Sequence, residues 1–292
     1  MKFWMATAFL EPEHLFPIVD AAEEGGFHGV AFSDHIFYAK ERHSDYPYSV
    51  DGSPIWQPDT PWLDCFTAIG ACAGRTERLH FTTNVYVAPA RDLWTVAKQV
   101  STAAALSNNR VSLGLAAGWS KDEFDQTGQD FEARGKRLDE MIPALRELWQ
   151  PGWREFHGDH YDFDALTLEP TPTEVPPIYV GGHSPAAIRR GARLGDGWIG
   201  TYYTPDDAEA MLTQVTDALA AEGRTTDGFE IVLSLLAKPD VDLYRRFEDL
   251  GVTAMVWAPW MLAQPGPDHA SLLEARVEAT HLFCEKFVAP LA

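Results

Sequence analysis

The chain has 292 residues, a formal net charge of −20 and a 46% hydrophobic composition with 16 Phe and 10 Trp, which is ample material for a large core. The acidic balance opposes binding to phosphate backbones or anionic lipid, so neither a nucleic-acid nor a membrane partner is expected; a small anion held locally by backbone amides stays open. Three cysteines without metal-ligand spacing, no apolar run near ~18 residues and a quickly polar N-terminus point to a cytoplasmic chain.

In chain order, the apolar run Phe3–Ala8 leads to a helical pattern carrying Leu15, Ile18, Val19 and Ala22. That helix stops at Gly25-Gly26, and the run Gly29–Ser33 follows. Asp34–Pro61 is a long connection, after which come Leu79–Thr83, a helix containing Trp94 and Val96, and the run Val111–Ala116. The next helix shows Leu138, Met141, Ile142, Leu145 and Leu148, and the stretch Pro151–Pro176 reads as an insertion rich in Pro, Asp and aromatic residues. Four more runs follow, Pro177–Val180, Gly197–Gly200, Glu230–Leu235 and Thr253–Trp257, with Leu194-Gly195-Asp196-Gly197 and Leu250-Gly251-Val252 as further helix-to-strand joins. A last helix through Leu273, Val277, Cys284 and Phe287 would close the ring. Eight apolar runs alternating with helices predict an α/β fold, a closed (β/α)₈ TIM barrel, with a doubly wound open sheet as the alternative. One domain over 1–292 is expected, with an insertion at about 151–176.

Chemistry is expected where strands end, because active sites of parallel barrels gather at that face. In Ile178-Tyr179-Val180-Gly181-Gly182-His183-Ser184-Pro185 a strand meets two glycines, an N-cap Ser and a Pro at the first helical position. This reads as a phosphate site at a helix start, or as a well-capped turn that binds nothing. Ser33-Asp34-His35 follows the second run; His35 is placed to move a proton, or to order the long loop. Asn84-Val85-Tyr86 and Ala117-Gly118-Trp119 follow the third and fourth runs, where small residues let a flat ring lie on the backbone or simply pack the barrel mouth. His43, His157, His160, His269 and His281 show no metal-ligand pattern, and His157 to Asp162 reads as a polar turn.

These motifs, taken in order with Ala21–Phe27, Arg75–Leu79, Asn108–Gly114, Glu123-Phe124 and Gly195–Trp198, resemble the luciferase-like monooxygenase superfamily, and within it the coenzyme F-420-dependent oxidoreductases. The resemblance spans roughly residues 3 to 200. It implies a barrel with the coenzyme ring at its C-terminal mouth and a non-prolyl cis peptide at Asn84-Val85. It implies a phosphate at Gly181, Gly182, His183 and Ser184, contacts from Asp34, Ala117 and Gly118, a proton-transfer or substrate-orienting role for His35, and a homodimer. The family's sugar-phosphate dehydrogenases carry an acidic residue where Trp119 stands and a lysine within what is here Thr201–Thr204, so a sugar phosphate does not suit this chain. Trp119, Trp56 and Tyr202 instead suggest an apolar or aromatic small-molecule substrate, or packing of the loops on one another.

The expected activity is hydride transfer between coenzyme F-420, a deazaflavin, and an organic substrate. The alternative is an FMN-dependent monooxygenase supplied with reduced flavin by a partner reductase. A third reading, of another class, is a barrel that binds a flavin-like ligand without turnover.

Overall fold

A computed structural model of the chain describes residues 1–266 and 271–292, so His269 lies outside the described residues. The described residues form ten strands and nine α-helices. Eight strands are parallel: β1 (Lys2–Ala6), β2 (Gly29–Phe32), β3 (His80–Thr83), β4 (Leu113–Leu115), β7 (Ile178–Gly181), β8 (Gly197–Tyr203), β9 (Glu230–Leu235) and β10 (Ala254–Trp257). Their hydrogen-bonded order is β3-β2-β1-β10-β9-β8-β7-β4. The ends of that list meet through a parallel bridge between Phe81 and Val111, where the Phe81 N–H donates to the Arg110 carbonyl and the Ser112 N–H to the Phe81 carbonyl. The sheet is therefore a barrel, and the expectation of eight βα units holds.

The sequence explains the local geometry. In β2 all four residues are buried, as a strand covered on both faces requires. Helix α1 (Leu15–Gly25) buries Leu15, Ile18, Val19, Ala21 and Ala22 and ends on Gly26 at φ 82°, the left-handed position that glycine tolerates. The join at Gly195 differs from the expectation: its φ is −88°, and glycine is needed there because a Cβ would lie 2.9 Å from the carbonyl oxygens of Gly191 and Gly197. Helices α2 (Cys65–Ala73), α3 (Leu93–Ser107), α4 (Lys121–Thr127), α5 (Arg134–Leu148), α6 (Pro185–Leu194), α7 (Pro205–Ala221), α8 (Val241–Asp249) and α9 (Leu272–Phe283) complete the layer around the barrel. A short π-helical turn, Cys284–Val288, follows α9 and sets Cys284 against Gly25.

The inserted stretch holds structure that the sequence reading missed. Strands β5 (Arg154–His157) and β6 (Asp162–Leu166) pair antiparallel, with Phe156 stacked on Phe163 at 6.0 Å. The expected polar turn sits at its tip, where Glu140 accepts hydrogen bonds from the N–H groups of Asp159, His160 and Tyr161.

Candidate active site

Parallel strands in a barrel end on one face, so the loops after β2, β3, β4, β7 and β8 share the C-terminal mouth. Asp34 and His35 leave β2 side by side and part at once. Asp34, 6% exposed, accepts hydrogen bonds from both terminal nitrogens of Arg91 at 2.6 and 2.8 Å and from the Val87 N–H at 2.9 Å. Burial pushes its carboxyl upward while Arg91 and the Val87 amide pull it down, and the Asp34 charge in turn raises the Arg91 guanidinium. With its oxygens so engaged, Asp34 fixes the backbone after β3, and any contribution to ligand binding runs through that backbone.

That backbone is the bulge Asn84-Val85-Tyr86. The Asn84-Val85 peptide is cis, as the resemblance implied. The Asn84 carbonyl accepts from Ser33 Oγ at 3.0 Å, and the Tyr86 N–H donates to the Gly114 carbonyl at 2.8 Å. Val85 packs so closely on Gly181 that a Cβ there would lie 2.6 Å from Val85 Cγ1. At Gly118, φ 86°, a Cβ would lie 2.4 Å from Val87 Cγ1. Both glycines thus serve close packing at the strand ends, and half-buried Ala117 lies beside Gly118.

His35 turns towards α4. Its Nδ1 lies 2.8 Å from Glu123 Oε1, and the same oxygen accepts from the Ile36 N–H at 3.2 Å. The His35 side chain is 11% exposed and that of Glu123 only 2%. Glu123 stands three residues after Ser120, the spacing of a capping box in which Glu bonds back to the helix start, a pattern that gives no sign of a histidine partner. In the structure Ser120 makes no side-chain cap, Ser44 Oγ accepts from the Lys121 N–H, and the Glu123 carboxylate goes to His35 and the Ile36 N–H. Next to it, Asp122 accepts from the backbone N–H of His43 and lies 2.6 Å from its Nδ1. Burial raises the Asp122 carboxyl, yet these hydrogen bonds hold it below its ordinary value. The long loop after β2 is thus fastened to α4 at three points.

The same loop, joined by Trp119 from the turn after β4, brings aromatic rings onto His35. Trp56, Trp62 and Trp119 stand with ring centres 4.7, 4.8 and 5.6 Å from the imidazole. Tyr46 contacts Trp56 and Trp119. Trp119 and Trp56, expected in the substrate pocket, therefore meet at His35. Tyr202 does not join them. It lies at φ 61° on a bulge of β8 and contacts Tyr48, whose hydroxyl is 3.1 Å from His183 Nε2. Burial lowers the His183 imidazole and raises the Tyr48 phenol to about 12, so the pair is neutral around pH 7.

His183 and Ser184 open α6. Ser184 Oγ accepts from the Ala187 N–H, and Pro185 fills the first helical position. Among the described residues, the N–H groups of His183, Ser184 and Ala186 have no acceptor. Gly182, at φ 131°, has its carbonyl turned to Trp198 Nε1 and its N–H towards the Ile199 carbonyl at 3.4 Å, so the amides on offer start at His183. Free amides at a helix start suit a phosphate. Two indole N–H groups, of Trp56 and Trp62, are also shielded without a partner. The residues present therefore fit a phosphate-bearing coenzyme.

A barrel with a histidine–carboxylate pair and an anion-ready helix start at one mouth has the layout of an α/β-barrel enzyme. The comparisons give the family: residues 6–269 match the luciferase-like monooxygenases, and the chain belongs to that family of enzymes. A Mycobacterium tuberculosis protein of uncharacterised function is 35% identical over 99% of both chains. An F-420-dependent glucose-6-phosphate dehydrogenase of Nakamurella multipartita is 29% identical, covering 82% of this chain and 67% of that one. Among solved structures, the monooxygenase RslO1 of Streptomyces bottropensis superposes over the whole of both chains with a TM-score of 0.76 at 19% identity, a likeness of fold.

Proposed function

We propose that this enzyme transfers a hydride between coenzyme F-420 and a small, apolar organic substrate, with His35 moving the accompanying proton. The observation that carries this reading is the His35–Glu123 pair, buried among aromatic rings at the mouth of a luciferase-like barrel. The dehydrogenase likeness supports the coenzyme, although Trp119 stands where a sugar-phosphate enzyme of this kind has an acidic residue. The coenzyme supplies the carbon that gives or takes the hydride. Its phosphate would rest on the amides of His183, Ser184 and Ala186, beside the tightly packed Gly181-Gly182 turn; its ring would lie along Asn84-Val85 and Ala117-Gly118.

The protein's own work is positional. Glu123 accepts from Nδ1–H of His35 and so presents Nε2 to the substrate. The aromatic loop excludes water from that nitrogen. Titration of the purified protein with F-420 and with FMN, followed by absorbance, tests the reading. Saturable binding of F-420 with hydride exchange is the expected result, whereas binding of FMN alone, with oxygen consumption once the flavin is reduced, points to a monooxygenase. A second copy of the chain in a homodimer is part of the same proposal, checked by sedimentation.

A further inference from the structure

The connection after β2 does not stay over its own strand. In the barrel β2 neighbours β1 and β3, yet His43 and Ser44 are fastened to α4, which follows β4, and Tyr48 to the start of α6, which follows β7. Residues 43–48 therefore span the mouth, from the turn after β4 to the helix start that suits a phosphate. Their fastenings lie at the surface: the His43 side chain is 68% exposed and Tyr48 37%. Hydrogen bonds so placed compete with water and are each weak. From Tyr48 an unbroken run of rings leads inward. Tyr48 and His183 stand 5.1 Å apart, Tyr46 and Tyr48 5.3 Å, Tyr46 and Trp56 5.1 Å, and Trp56 and His35 4.7 Å. One loop thus joins the helix start to the histidine. The cavity beside this wall, lined by Thr7, Phe9, Phe32, Ser33 and Trp62, holds about 20 Å³, the room of one water, so anything larger enters there only as the loop parts.

We propose that residues 43–48 are a strap that opens to admit the coenzyme, closes on its phosphate through Tyr48, and in closing sets the aromatic wall at His35, so that coenzyme binds before substrate. This rests on the coenzyme site of the reading above and adds an order of binding to it. An element couples two sites when it has two arrangements and both sites bias the same one. Here the bias is electrostatic. In the free protein burial keeps the His183 imidazole neutral, and its contact with Tyr48 joins two neutral groups. Among the described residues no carboxylate pairs with His183, so its charge answers to whatever sits on the adjacent amides. A phosphate there favours the charged imidazole. Its Nε2–H then donates to the Tyr48 oxygen in a charge-assisted bond, roughly twice as strong as a neutral one. The phosphate therefore tightens the fastening that faces it, and Tyr46 and Trp56 are held on His35 as a consequence. Asp122, bonded to the backbone and ring of His43, keeps the other end of the strap on α4 and serves as its hinge. Tyr48 is thus a positioning residue, acting through Tyr46 and Trp56.

Amide hydrogen exchange of the protein, alone and with F-420, FMN or inorganic phosphate, tests the strap without relying on turnover. Whichever of these binds should slow exchange across residues 43–58 by ~5-fold or more, as expected for a segment that opens less often. Tyr48→Phe keeps the ring and loses the hydroxyl. In that variant protection should remain at residues 183–187 and fall by ~3-fold or more at residues 43–58, and the coenzyme should leave ~5-fold or more faster in stopped flow. Wild-type protection confined to residues 183–187, equal protection of 43–58 in Tyr48→Phe, an unchanged dissociation rate, or binding of none of the three overturns the strap. If the variant does not fold, the wild-type exchange decides alone. Protection of 43–58 by inorganic phosphate, without binding of F-420 or FMN, supports the strap while overturning the coenzyme reading.

Discussion

Glu123 and His35 come from different elements and meet at 2.8 Å, so each can be changed without touching the other's backbone. If His35 carries the proton, His35→Ala should lower kcat by ~10²–10⁴-fold and leave coenzyme affinity nearly unchanged in a titration. Glu123→Gln keeps an acceptor for Nδ1–H and should retain most of the turnover, while Glu123→Leu leaves Nδ1–H without one and should lose ~10-fold or more in kcat. A wild-type kcat in the folded Leu variant would mean that the carboxylate only anchors the loop. His35 was legible in the sequence because it directly follows a buried strand. Its partner was not, because Ser-x-x-Glu is a common helix-start pattern and nothing in it signals that the carboxylate reaches the loop after β2. Asp34 shows the converse: it reads as a site residue, yet its carboxylate belongs to Arg91 and Val87.

At the scale of elements, the turn from β7 into α6 is where the proposed phosphate is most open to test. Gly182 is a poor position to mutate, since a Cβ there would lie 2.8 Å from the Ala187 Cβ at φ 131°. Ala186 is exposed in the first turn of α6. An acidic residue near a helix N-terminus adds about 0.3–1 kcal/mol of stability, yet it would also compete with and repel a phosphate. Ala186→Asp should thus leave the melting temperature unchanged or slightly higher while weakening F-420 binding by ~10-fold or more. Loss of both together would indicate damage to the fold, and unchanged affinity would show that the phosphate lies elsewhere. Elements of this kind were readable from sequence: apolar runs flanked by glycine, and Ser-Pro at a helix start. The β5–β6 hairpin was hidden because its strands alternate weakly and lie among prolines and acids. Strand β4 is shorter than its apolar run because Val111 reaches its neighbour through a single bridge.

For the molecule as a whole, the end of the barrel opposite the mouth governs its response to acid. His28 precedes β2, stacked at 4.7 Å on His80, with Lys2 and Glu230 nearby. Burial, then the fields of His80 and Lys2, push its imidazole down to about 4. The neutral form is the one the fold accepts, so the unfolded chain binds the proton more readily as pH falls below the ordinary value of about 6.5. Stability should therefore drop between pH ~6.5 and ~4, by about 2 kcal/mol at pH 5 from this group. His80 and His183, also lowered, add in the same direction; Glu230, which Lys2 and Thr253 hold below its ordinary value of 4.5, adds its loss at lower pH still. Urea unfolding at pH 7.5 and pH 5 measures the loss, and His28→Gln should shrink it.

Closure of the barrel depends on one seam. β3 and β4 are the two ends of the hydrogen-bonded order, and Gly114 lets them approach: a Cβ there would lie 1.9 Å from the Thr83 carbonyl oxygen. At the N-terminal end of the seam, Arg110 donates to the carbonyls of Ala73, Thr76, Leu79 and Ser107 and to Thr76 Oγ1. One guanidinium thereby ties the ends of α2 and α3 to the start of β3. Truncation leaves several partly buried carbonyls without donors, each costing about 1 kcal/mol or more. Arg110→Ala should lose about 3 kcal/mol in urea unfolding. Arg110→Lys should recover less than half, because an ammonium cannot reproduce the planar fork. Coenzyme affinity of the folded protein should stay within ~3-fold of wild type, since the mouth lies at the other end of the strands. A stability loss below ~1 kcal/mol would show that the backbone bridge at Phe81 and Val111, with Gly114, closes the barrel without help from Arg110.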